Sequence, residues 1–337
     1  MNTVTEFEFI QYNDGELDNQ HANQLTKQLI KNFDNAQYGY LLLDLSLRNI
    51  NQLALDSEIY AYIEENSSYL QSIPFNHPAF NFTNTPSLLP IDRKNTHLYE
   101  ILKQTVLLSY QEIKPEWLLS GQGRAMCGWL FSNKSIDIVC QHIAKLCIQR
   151  SQINNGLYLL RLYDPSVLNA ISDLMLPQIR DKIFAQTTNW LILNGDGLLI
   201  EYAAVENNRQ LMPYRLGITE TEENKIAHIG LENQILLNYR SKLQHQPRYS
   251  EDQARIQIRK ALDIAIQHQL NDPQDKVLFA LHYLTLGSEF YRTPKIAELL
   301  RIKDSFYQKR VAAITAEQWQ QIKQQSKELI LGERYDM

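Results

Sequence analysis

Residues 157–177 read LYLLRLYDPSVLNAISDLMLP, and this stretch decides the fold class. Leu157, Leu159, Leu160 and Leu162, with Tyr158 and Tyr163, form an apolar run of strand length, apolar enough to be covered on both faces. Asp164-Pro165 ends it. Aspartate accepts hydrogen bonds from the orphan amides of a first helical turn, and proline at the next position lacks the amide that would go unpaired. Leu168, Ile171, Leu174 and Met175 then recur at helical spacing until Pro177. The reading is a buried strand switching into a helix, with Arg161 inside the apolar run. A guanidinium buried there is costly unless paired, so a carboxylate partner within the chain is expected.

Working outward, 38–46 (YGYLLLDLS) is a second strand that also ends at an aspartate, Asp44. Helical stripes follow at 21–33, 97–112 and around Cys140 and Cys147, alternating with apolar runs at 88–91, 117–119 and 126–131. Trp190 to Leu193 and Leu198 to Tyr202 flank Asn194-Gly195-Asp196-Gly197, a strong hairpin signal. This alternation predicts an α/β first lobe over 1–205, with a mostly parallel or mixed sheet flanked by helices and an antiparallel hairpin at one edge. A link at 206–220 carries Pro213 and Gly217. Over 221–337 the strand signals stop, and helices are predicted near 221–245, 250–270, 273–287, 294–302 and 315–331. Ser250/Gln253 and Thr315/Gln318 have capping-box spacing, and Asp272-Pro273 repeats the device of Asp164-Pro165. The second lobe is therefore expected to be all-α.

The 337 residues accommodate two cores, and 44% hydrophobic with 21% charged residues is ordinary for a globular chain. A net charge of −5 offers no global attraction to nucleic acid or anionic membrane. The basic cluster Arg240, Lys242, Arg248, Arg255, Arg259 and Lys260 reads as solvated helix faces. The three cysteines lack CxxC spacing, no run is long enough to span a bilayer, and the N-terminus carries Glu6 and Glu8 in place of a signal core. A reduced, cytoplasmic chain is expected.

Catalytic signatures are weak. The histidines show no metal-ligand spacing, and Gly121-Gln122-Gly123 is followed by Gly128 too late for a dinucleotide loop. No GxSxG elbow or Walker loop occurs. Asp44 and Asp164, both at strand ends, are the one pair that could hold a divalent cation. Structural capping is the simpler reading, and a metal-assisted hydrolase with carboxylates at the sheet edge is the alternative. No catalytic residue, cofactor or metal ligand is otherwise assigned.

The segment 156–168, GLYLLRLYDPSVL, resembles the signature of the type VI secretion effector chaperones, or adaptors. Arg161, Tyr163, Asp164, Pro165, Val167 and Leu168 match its pattern R-[FY]-[YF]-D-P-x-[VL]-[LF]. The opening strand, the run 88–91 and Trp190 extend the likeness over roughly 38–202. In the second lobe Gly287, Phe290 and Pro294 match a further family pattern. The resemblance implies a non-catalytic bacterial protein of the cytoplasm that binds one toxic effector, usually by the effector's N-terminal region, and helps load it on the VgrG spike. Neither nucleic acid nor membrane is an implied partner. The motif residues Arg161, Tyr163, Asp164 and Pro165 are expected to be mainly structural. Tyr214, Phe290 and Tyr291 are aromatic candidates for effector binding, within a partly apolar groove between lobes.

Overall fold

A computed structural model describes residues 10–11, 19–46, 58–76, 85–174, 176–203, 216–302 and 305–335. The chain divides into two compact units, residues 13–229 and residues 230–337, the latter joined by the N-terminal strand β1 (Ile10–Gln11).

In the α/β unit the elements run α1 (Asn19–Lys31), β2 (Tyr38–Leu43), α2 (Glu58–Glu65), β3 (Gln71–Ser72), β4 (Ser87–Ile91), α3 (Leu98–Glu112), α4 (Pro115–Leu119) and β5 (Met126–Ser132). They continue with α5 (Ile136–Cys147), β6 (Ile148–Arg150), β7 (Leu157–Leu159), α6 (Pro165–Ser172), α7 (Pro177–Phe184), β8 (Asn189–Leu193), β9 (Leu199–Tyr202) and α8 (Glu220–Ala227). Six strands form one sheet in the order β3-β4-β2-β5-β8-β9.

Every described ladder in this sheet is antiparallel, which corrects the expectation of a mostly parallel or mixed sheet. The alternation of strand and helix was a sound sign of the α/β class, but it does not fix strand direction. β4 and β5, joined through α3 and α4, run the same way, as a crossover requires. They are not neighbours, because β2 lies between them and opposes both.

The sheet buries both faces, and residue alternation sorts its side chains. Tyr40, Leu42, Leu88, Leu130, Trp190 and Ile192 share a core with Val139 and Ile143 of α5, Leu168 and Ile171 of α6, and Ile179 and Ile183 of α7. Leu41, Leu43, Leu89, Trp129, Leu191 and Leu193 face Leu25 and Leu29 of α1, Ile59 and Ile63 of α2, and Leu102 and Val106 of α3. The unit is thus a helix–sheet–helix sandwich.

Two apolar runs fold otherwise than their composition suggests. Trp117 to Leu119 lie in α4, started by Pro115, and not in a strand. The run from Leu157 does not enter the main sheet. It gives only β7, paired with β6 in a separate hairpin, and Leu157 is 62% exposed. Leu160 and Leu162 are buried, but in an irregular segment held by the Leu160 amide on the Cys147 carbonyl at 2.7 Å. The hairpin signal at Asn194–Gly197 is realised by β8 and β9, with Gly197 at φ +80°.

The second unit is helical: α9 (Ile229–Lys242), α10 (Glu251–Gln267), α11 (Pro273–Leu286), α12 (Pro294–Arg301), α13 (Tyr307–Val311) and α14 (Ala316–Tyr335), with β10 (Pro247–Arg248) pairing β1. Ser250 and Gln253 form the anticipated capping box, and Asp272 accepts from the amides of Gln274 and Asp275. Gly287 ends α11 at φ +116°, where the Ser326 hydroxyl of α14 lies 2.5 Å from the place a Cβ would take. The basic cluster is not a solvated face throughout. Arg240, Arg248 and Arg255 are buried, and Arg255 bridges Glu251 at 2.8 Å and Glu232 at 3.9 Å. No described helix is long and apolar enough to cross a membrane.

Candidate functional site

The segment Arg161–Pro165 forms a tight turn that launches α6, and each residue has a visible task. The Asp164 amide donates to the Arg161 carbonyl at 2.9 Å, closing the turn. One carboxylate oxygen of Asp164 accepts from the Ser166 amide at 2.9 Å, so the residue is the N-cap that its sequence context predicts. The other oxygen lies 3.3 Å from the Arg161 guanidinium. This is the intramolecular partner that Arg161 was expected to need, although the arginine is half exposed. Pro165 takes the first helical position, where its missing amide costs nothing.

Tyr163 is buried, and its ring packs on Phe75 at 5.8 Å. The Arg161 guanidinium lies over the Tyr163 ring, 5.6 Å from its centre. Burial alone would lower the affinity of the Arg161 side chain for its proton. Asp164, Tyr163 and Asp44 outweigh that and raise it. Burial likewise drives the Tyr163 hydroxyl well above its ordinary range.

Asp44 ends β2 beside this turn. Its carboxylate accepts from the Ser46 amide at 3.1 Å and the Ser46 hydroxyl at 2.5 Å, an Asx-type turn, and the residues a cap there would serve lie outside the described ones. Cys127 completes the neighbourhood. The ladder between β2 and β5 places Leu42 opposite Gly128 and Leu43 opposite Met126, so Cys127 is the extra residue of a bulge. Burial, and then the negative charges of Asp44 and Asp164, push its thiol well above the ordinary value. Such a thiol stays protonated and is a poor nucleophile. Cys147, also buried, is pushed up to about 12, against the opposing amides of Leu162 and Tyr163.

The fold therefore gathers Arg161, Tyr163, Asp164 and Pro165 and adds Asp44, which the sequence paired with Asp164, and Cys127, which it did not. A bulge is set by ladder register, and no local pattern around Cys127 announces it. The Arg161 guanidinium interacts electrostatically with Asp164 and, less strongly, with Asp44. Among the described residues, no group of three or more His, Cys, Asp or Glu is placed to hold a metal ion.

The aromatic candidates lie elsewhere. Tyr214 is outside the described residues. Phe290 is fully buried in the helical unit, 5.0 Å from the Phe279 ring, and so belongs to that unit's core and not to an accessible rim. Tyr291 is half-buried, between His268 at 5.8 Å and Phe279 at 6.4 Å.

Residues 40–182 match one family model. It is described as a domain of unknown function, DUF4123, a domain known from type VI secretion effector adaptors. The match contains the whole Arg161–Pro165 turn together with Asp44 and Cys127, and it ends inside α7, short of β8, β9 and the helical unit. Neither a curated protein nor a solved structure matches the chain.

Proposed function

We propose that this chain is a non-catalytic adaptor that acts in the bacterial cytoplasm. It binds one type VI secretion effector, a toxin, by the effector's N-terminal region and helps load it on the VgrG spike. The observation that carries this reading is the DUF4123 match over 40–182, which contains the Arg161–Pro165 turn. The chemistry of the turn supports it. Asp164 spends one oxygen on its own helix and the other on Arg161, Asp44 is turned onto Ser46, and the nearby thiol is held protonated. These groups serve one another, as a recognition scaffold requires, and none is poised as a general base.

Affinity purification from the native host, with mass spectrometry of what remains bound, tests the proposal. Recovery of one large toxin-like protein, with or without a spike component, is expected. A well-folded bait that recovers nothing would overturn it. Calorimetric binding of a divalent cation, lost in Asp44→Asn, would then turn the reading toward a metal-assisted hydrolase.

A further inference from the structure

We infer that the outer edge of β9 is a docking site for an extended segment of a partner protein, added as a seventh strand whose inward-facing side chain is an amide. The Asn194 amide donates to the Leu198 carbonyl at 2.9 Å, which makes Asn194 and Leu198 a hydrogen-bonded pair. Antiparallel ladders alternate, so in the observed register Ile200 and Tyr202 also spend their backbone groups on β8. Leu199 and Glu201 then turn their amides and carbonyls outward. No described residue pairs with that side of β9.

The edge carries few of the devices that block strand addition. β9 reads Leu199-Ile200-Glu201-Tyr202, with no proline, no lysine and one acid. That acid is held sideways, accepting from the Asn189 side chain at 2.7 Å. The opposite edge of the sheet, β3, offers only two residues.

The same two outward residues, Leu199 and Glu201, line a cavity of about 440 Å³ on the α1 side of the sheet. Gln28, Lys31, Asn32 and Asn35 from the end of α1 and the turn after it complete its wall, with Asn189 and Leu191 of β8. An added strand would lie about 4.8 Å from β9, and its residues beside Leu199 and Glu201 would direct alternate side chains toward this cavity. Beside Leu191 and Leu199 the lining has one cation, one anion and four amides, of which Asn189 already donates to Asn32 and Glu201, so donors and acceptors are balanced. That balance favours a neutral side chain with both, asparagine or glutamine, over a charged or an aliphatic one. That the segment belongs to a secretion effector rests on the adaptor reading; the strand addition does not.

The test uses the full chain and short synthetic peptides that alternate valine with one varied residue, either Asn, Asp, Lys or Leu. The Asn series is expected to bind best by fluorescence anisotropy and to slow hydrogen exchange at the Leu199 and Glu201 amides. Glu201→Pro removes an outward amide without touching the backbone bonds to β8, and should weaken the Asn peptides by about tenfold. Glu201→Ala keeps the amide and should retain most of the binding. Equal binding by the wild type and Glu201→Pro, no binding by any series, or a preference for the Leu series would each overturn the inference. A concentration-dependent dimer that Glu201→Pro dissociates would overturn it too, assigning the edge to a second copy. Peptide binding without effector capture would sink the adaptor reading alone.

Discussion

Arg161 in the α/β unit and Arg255 in the helical unit make the same local contact in opposite surroundings. Arg161 meets Asp164, three residues on, at 3.3 Å with 47% of its side chain exposed; Arg255 meets Glu251, four residues back, at 2.8 Å with 1% exposed. An exposed pair is screened by water and contributes little, whereas a buried pair is tied to the fold because neither member can be solvated once the other is lost. The buried arginine is thus fixed by structure, and the half-exposed one is left accessible.

The largest expected effect is in the buried network. Glu232 serves both Arg255 and Arg259, the latter at 3.1 Å. Glu232→Ala should cost about 3–5 kcal/mol, as removal of one member of a buried pair does. Hydrogen exchange at the α9 and α10 amides of the full chain reads this loss, and the α/β unit should be unmoved. Next comes Gly287→Ala, which meets both a positive φ and the Ser326 hydroxyl, with an expected loss of about 2 kcal/mol. Adding Ser326→Gly should recover the part due to the clash and leave the part due to the backbone.

Acid separates the units further. His282 is partly buried, packs on Trp319 at 4.5 Å and shares a hydrogen bond with the Tyr307 hydroxyl. Burial, and secondarily Lys242, lower its pKa from 6.5 to about 3. Above pH 6.5 the imidazole is neutral whether the chain is folded or not, and its environment costs nothing. As pH falls from there toward 3, the unfolded chain takes up a proton that the folded unit refuses, so stability declines by roughly 1.4 kcal/mol per pH unit. His282→Gln should remove that slope from the helical unit. His142 in the α/β unit, also lowered by burial, should leave a slope of the same sign there.

What the sequence made legible was local. Asp164-Pro165, Asp272-Pro273 and Ser250/Gln253 each announce a helix start, because a cap and its amides lie within three residues, and the structure realises all three. That Arg161 needs a carboxylate partner was legible as well, and the structure supplies Asp164, three residues on. Strand direction was not, since it depends on β2 lying between β4 and β5. Nor was the burial of Arg255, whose partner Glu232 belongs to another helix, or the approach of Cys127 to Asp44, which a bulge brings about. The run 157–163 misled because its leucines divide between an exposed hairpin and a buried irregular segment, and composition cannot tell these from a sheet strand.

The motif itself supplies the smaller effects. Asp164→Ala should cost about 1 kcal/mol through the lost cap, and effector capture should fall only in proportion to the folded fraction. A fully stable Asp164→Ala chain that captured nothing would make the motif a contact surface.

Arg161→Ala should cost still less, under about 1 kcal/mol, because the bridge is half solvated and the Asp164 cap on Ser166 survives without it. Some loss should remain, since the guanidinium also packs beside Tyr163 and acts on Asp44. Urea titration of Arg161→Ala beside Asp164→Ala measures the difference. An Arg161→Ala loss as large as that of Glu232→Ala would show that the turn is as tightly committed as the buried network, and the contrast between the two arginines would disappear. A loss too small to detect would show that Arg161 is dispensable to the fold, and its place in the motif would then have to be explained by what it offers to a partner.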